Sequence, residues 1–121
     1  MSTIKMKMDD FSPIVSFEKD LKRLTLSGRS VQENPEPWYA ELWEKMSIEI
    51  VKNNISSIRF LLDYFNTASA KQLYRLLQNI LKSSTSIKII WAYESDDEDM
   101  KEAGEDFQEM LETEFTFEVI G

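Results

Sequence analysis

The sequence predicts one α/β domain: a mixed sheet of about five strands with helices packed on it, in the order β-β-α-β-α-β-α-β. Three observations carry this. Two apolar runs, Ser57-Ile58-Arg59-Phe60-Leu61-Leu62-Asp63-Tyr64-Phe65 and Ile87-Lys88-Ile89-Ile90-Trp91-Ala92-Tyr93, have the length and the β-branched or aromatic content of buried central strands. Helical stripes lie before, between and after them, and these supply the crossovers that parallel strands require. The chain has 121 residues, 42% apolar and 12% aromatic, with three Gly and three Pro, which suits a single folded domain and excludes a second.

Taken in order, residues 1–12 read as a polar N-terminal arm and 13–121 as the domain. Pro13–Phe17 and Arg23–Ser27 have strand character on either side of the charged turn Glu18–Lys22, the pattern of a β-hairpin. Gly28 to Pro37, with Gly, Asn and two Pro, reads as a loop. Tyr39, Leu42, Trp43, Met46 and Ile50 then recur at helical spacing, and Asn53-Asn54 ends that helix. Beyond the first central strand, Asn66-Thr67-Ala68-Ser69 supplies natural helix caps. The helix behind them stripes Ala70, Leu73, Leu76, Leu77, Ile80 and Leu81 on one side, with Lys71, Gln72, Arg75, Gln78, Asn79 and Lys82 on the other. Met100, Ala103, Phe107, Met110 and Leu111 mark a last helix. Phe115–Ile120 alternates as an edge strand, open to pairing with a second chain or to cover by the N-terminal arm.

Composition narrows the chemistry. There is no Cys and no His, so thiol nucleophiles, disulfides, Cys- or His-ligated metals and the usual serine triad are excluded. An enzyme built on this chain would rest on carboxylates, Lys or Tyr. The net charge of -8 opposes nucleic acid and anionic lipid. Much of it is local, because between Glu94 and Glu114 eleven acidic side chains accompany one basic residue, Lys101. The remainder is nearly neutral, and Lys71, Arg75 and Lys82 make the outer face of the helix after Thr67 mildly basic. With no signal-peptide pattern and no membrane-length apolar run, the expectation is a soluble, cytoplasmic protein without a cofactor.

Candidate sites gather where the central strands end. The acidic run Glu94-Ser95-Asp96-Asp97-Glu98-Asp99 has hard-cation chemistry, but a calcium loop counted from Asp96 needs Gly and Glu where Lys101 and Phe107 stand. The spacing favours a solvated loop whose carboxylates complement the following helix start. Asp63 and Glu94 could pair for acid-base work, and Trp38, Tyr39, Trp43, Trp91 and Tyr93 could stack on bases. Neither reading has supporting pattern around it. At Asn66–Ser69, either Asn66 or Thr67 satisfies backbone N–H groups at a helix start, or a hydroxyl is offered where a phosphoryl group would be stabilised by backbone donors and Lys71.

Four segments then resemble one family. Leu26-Ser27-Gly28-Arg29-Ser30 with Glu33-Asn34, Tyr64-Phe65-Asn66-Thr67-Ala68-Ser69, Trp91-Ala92-Tyr93-Glu94, and Asp96–Met100 with Glu102–Phe107 stand in the order and separations of the SiaC family of bacterial regulatory phosphoproteins. Ala68 replaces a Ser, Ala92 a Tyr and Glu94 an Asp; the threonine is kept. The resemblance implies a STAS-like domain of the anti-sigma-factor-antagonist type that works by partner switching and not as an enzyme. It implies that Thr67 is the phosphoacceptor, with Ser69 in reserve, for a serine/threonine kinase whose action a metal-dependent phosphatase reverses. It implies that the unmodified form engages and activates a diguanylate cyclase, a biofilm-regulating output. Asn66, Thr67, Ala68, Ser69, Lys71, Gln72 and Arg75 are the expected partner surface. An anti-sigma-type transcriptional output is the alternative, and behind it a small carboxylate enzyme or cation-binding module.

Overall fold

The computed structural model describes residues 2–4, 6, 9–84 and 86–121. Its elements are β1 (Ser2–Thr3), β2 (Ile14–Glu18), β3 (Arg23–Ser30), α1 (Glu36–Lys52), β4 (Ser57–Phe65), α2 (Thr67–Ser83), β5 (Lys88–Glu94), α3 (Glu98–Leu111) and β6 (Thr116–Ile120). The strands lie in chain order across one sheet. β1, β2 and β3 pair antiparallel, and β3 to β6 pair parallel. This is the expected mixed α/β order with one strand more. β1 falls in the stretch read as an arm, where Ser2 and Thr3 pair with Phe17 and Ser16. Two residues are too short to leave a periodic signal. Ser2–Thr3 therefore lies at the β2 edge, at the other side of the sheet from β6.

The hairpin forms as expected. Its turn is one 3-10 turn, Lys19–Leu21, closed by Lys22 in the left-handed region at φ 49°. Arg23 donates to Glu18 through Nε at 3.2 Å and Nη2 at 2.8 Å, and Thr25 Oγ1 donates to the same carboxylate at 2.9 Å. β3 runs further than the sequence suggests, because Gly28, read as a loop signal, stays in the strand at φ 97°. The register against β4 shifts there, from Gly28 opposite Leu62 to Arg29 opposite Tyr64, leaving Asp63 without a partner in β3. That shift sets Ser30 beside Phe65 at the ends of two neighbouring strands.

Each crossover joins adjacent parallel strands in the same direction, so right-handed connections place α1, α2 and α3 on one face. The alternation follows: Leu24, Leu26, Ile58, Phe60, Ile89 and Trp91 point into the helix layer and are buried. Trp91 is the centre of the aromatic packing, stacked on Phe60 at 5.7 Å and edge-on to Phe107 at 5.6 Å. On the open face, Arg59 Nε reaches across β5 to Glu118 Oε1 at 2.6 Å and ties β4 to β6.

Candidate functional site

The candidate site starts where β4 ends. Asn66 leaves the strand in extended conformation, φ -84° and ψ 174°, and turns the chain into α2. Its backbone N–H donates to Ser30 O at 3.0 Å, and its carbonyl accepts from Ala70 N at 2.9 Å. Its side chain works in two directions: Oδ1 accepts from Ser69 N at 2.9 Å, and Nδ2 donates to Gln32 O at 3.0 Å. Of the two cap readings left open by the residues, the fold selects Asn66. Thr67 is consequently the first helical residue. It is exposed, and among the described residues its hydroxyl has no hydrogen-bond partner.

Thr67, Ala68, Lys71 and Arg75 are all exposed and follow one another along one strip of α2. Arg75 Nη1 reaches Glu36 Oε2 of α1 at 3.4 Å, an exposed pair that orients the side chain more than it stabilises the fold. Two expected members of the surface stand elsewhere. Ser69 is completely buried, because Ser30 Oγ lies 2.7 Å from Ser69 Oγ beneath the turn. The Ser69 hydroxyl, expected as a reserve acceptor, is thus buried and hydrogen-bonded where that of Thr67 is exposed. Gln72 is 9% exposed, turned toward α1, where it lines a groove of about 250 Å³ with Tyr39, Trp43 and Arg75.

Sequence reasoning missed the polar cluster under the turn. Ser30 Oγ is 2.7 Å from Tyr39 Oη as well as from Ser69 Oγ, with Gln32 Oε1 at 3.3 Å. A serine hydroxyl has one proton. With that proton on Ser69, the Tyr39 phenol donates to Ser30, giving a directed chain Tyr39 to Ser30 to Ser69. Burial, opposed only by the Ser30 hydrogen bond, pushes the Tyr39 phenol far above its ordinary range and keeps it a donor. Gln32 Nε2 donates to Ser12 Oγ at 2.6 Å, and Val31 N donates to Phe11 O at 2.8 Å, so the chain before β2 joins the same unit. The available signal was a Tyr on an apolar helix stripe, since a buried phenol needs a partner.

The other candidates resolve into ordinary roles. Asp97 Oδ1 caps α3 by accepting from Met100 N at 3.0 Å, and Glu98 and Asp99 occupy its first turn, as helix electrostatics favours. Among the described residues no group of three acidic side chains is arranged to hold a metal ion. Asp63 and Glu94 are both exposed, and between the two strand ends lies an open recess of about 290 Å³ containing Asp63, Asp97 and Asp99. Trp38, Tyr39 and Trp91 are buried in the core and present no stacking surface. No helix among the described residues is long and apolar enough to cross a membrane.

These features define a class: a small α/β domain with helices on one face of its sheet and a bare hydroxyl at a helix start beside the strand ends. The model of the SiaC family of regulatory phosphoproteins matches residues 6–120, and the chain belongs to that family. No curated protein matches the chain. Among solved structures, apo-SiaC from Pseudomonas aeruginosa has the same fold, with a TM-score of 0.74, 20% identity and full coverage of both chains. SiaC bound to the diguanylate cyclase SiaD, described as its activator, matches at TM-score 0.66 and 21% identity, over 93% of each chain.

Proposed function

We propose that this protein is a non-enzymatic cytoplasmic switch whose unmodified form binds and activates a diguanylate cyclase, and that phosphorylation of Thr67 ends that interaction. A serine/threonine kinase adds the phosphate and a metal-dependent phosphatase removes it. Family membership and the SiaC of Pseudomonas aeruginosa, an activator of the cyclase SiaD, support this reading. The observation that carries it is the Thr67 hydroxyl, exposed and free of the capping role because Asn66 has taken it.

The mechanism is electrostatic. A phosphate on Thr67 adds about 1.5 to 2 negative charges where the helix dipole, the free first-turn N–H groups and Lys71 accommodate them. The fold survives the modification. A partner surface matched to a neutral hydroxyl, flanked by Asn66, Ala68, Lys71 and Arg75 with Gln72 at the groove edge, would instead have to desolvate a dianion.

The test is co-expression with the kinase, intact-mass and phosphosite mapping, and measurement of cyclase binding by wild type, phosphorylated protein, Thr67→Ala and Thr67→Glu. Phosphate on Thr67 with loss of cyclase binding is the expected result. Equal binding by the unmodified, phosphorylated and Thr67→Glu forms would sink the reading.

A further inference from the structure

We infer that Asn66 and Ser30 are positioning residues that decide which hydroxyl of the turn a kinase can use. The inference rests on Thr67 as phosphoacceptor and deepens that reading. Asn66 and Thr67 are both side chains able to cap a helix, so two cap registers compete here. With Asn66 as cap, the Thr67 oxygen is left outside the backbone network. With Thr67 as cap, that oxygen would be occupied by the N–H three residues on, at Ala70, and withdrawn from a kinase.

Two bonds hold the first register. Asn66 Oδ1 takes Ser69 N at 2.9 Å, as an aspartate or serine could. Asn66 Nδ2 also donates to Gln32 O at 3.0 Å, which an ionised aspartate, having no proton to give, cannot do, and this anchors the cap to the segment following β3. Ser30 acts on the other hydroxyl. It donates to Ser69 Oγ at 2.7 Å with both residues fully buried, and Tyr39 Oη, 2.7 Å from Ser30 Oγ, holds it in place. The same cluster thus presents Thr67 and withholds Ser69.

The experiment uses the full chain with the purified kinase and ATP, and maps phosphate at residues 67 and 69 in wild type, Asn66→Ala, Asn66→Gly, Asn66→Ser and Ser30→Ala. In parallel, ¹³Cα and ¹³Cβ shifts identify whether residue 66 or 67 is the cap. Removing the Asn66 side chain should move the cap signature to Thr67 and slow its phosphorylation about fivefold, the equilibrium factor of an ordinary cap. Asn66→Ser, which restores the cap oxygen, should recover most of the rate. Ser30→Ala should make phosphate on Ser69 detectable. Asn66→Gly, the milder change, serves where Asn66→Ala does not fold. A folded Asn66→Ala or Asn66→Gly protein with a wild-type rate and no cap at Thr67 overturns the role of Asn66. A Ser30→Ala protein modified on Thr67 alone overturns the role of Ser30. If wild type takes no phosphate on Thr67 the switch reading fails, while the carbon shifts still decide the capping register.

Discussion

Gly104 of α3 lies so close to the Trp91 indole that a β-carbon on it would stand 2.6 Å from Nε1. The indole cannot retreat: it is 1% exposed, and Nε1 donates to Met100 O at 2.9 Å. In a helix interior Ala is ordinarily better than Gly by about 1 kcal/mol, but overpacking costs about 1–3 kcal/mol. Gly104→Ala is therefore expected to destabilise the protein, by up to about 2 kcal/mol net. Urea denaturation checks this, and a stability equal to or above wild type would contradict the packing described.

Substitution at Thr67 should separate recognition from folding. The side chain is exposed and, among the described residues, unbonded, so Thr67→Ala and Thr67→Glu should each alter stability by no more than about 0.5 kcal/mol. Affinity for the cyclase should persist in Thr67→Ala and fall at least about tenfold in Thr67→Glu, where a charge replaces the hydroxyl. Calorimetric titration and thermal melts of the same samples give both quantities.

Tyr39→Phe removes the donor to Ser30 and leaves the rest of the ring in place. The expected cost is about 1–2 kcal/mol, that of a buried polar group losing its partner. The variant also carries a pH signature. Burial raises the folded Tyr39 phenol above its unfolded value, so its contribution to stability is complete below about pH 10 and is lost as pH rises beyond that. Wild type should lose more stability than Tyr39→Phe between neutral and strongly alkaline pH, as followed by denaturant midpoints.

Glu18 makes the opposite prediction at the acid end. The Arg23 guanidinium hydrogen bond, assisted by Thr25, holds its carboxyl below the usual range despite partial burial. A depressed folded value means stability that is present above about pH 4.3, the unfolded carboxylate value, and lost as pH falls through the folded one. Glu18→Gln should flatten that part of the acid-unfolding profile and leave the alkaline limb unchanged.

The order of elements was legible because each leaves a period in the chain. The two central strands are continuous apolar runs, and the stripe from Leu73 to Ile80 repeats at helical spacing. Where the chain gives no period, or a misleading one, the reading fell short. Ser2–Thr3 is a strand only because β2 offers it an edge, and Gly28 punctuates a loop in most contexts but here carries a register shift inside β3.

At the site, the turn itself could be read: Asn66 to Ser69 are cap residues behind an apolar strand, and the family motif singled out Thr67. The sequence thus determined that a hydroxyl-bearing helix start follows β4, because capping chemistry and hydrophobic periodicity are local. Which hydroxyl is free was decided by residues far away. Ser69 is buried because Ser30, 39 positions earlier, ends β3 beside it, and Gln72 turns inward because α1 packs there. Local chemistry makes all three polar side chains of the turn equivalent candidates. Burial and the bonds from Asn66 to Gln32 and from Ser30 to Ser69, which exist only once strands and helices are packed, make them different.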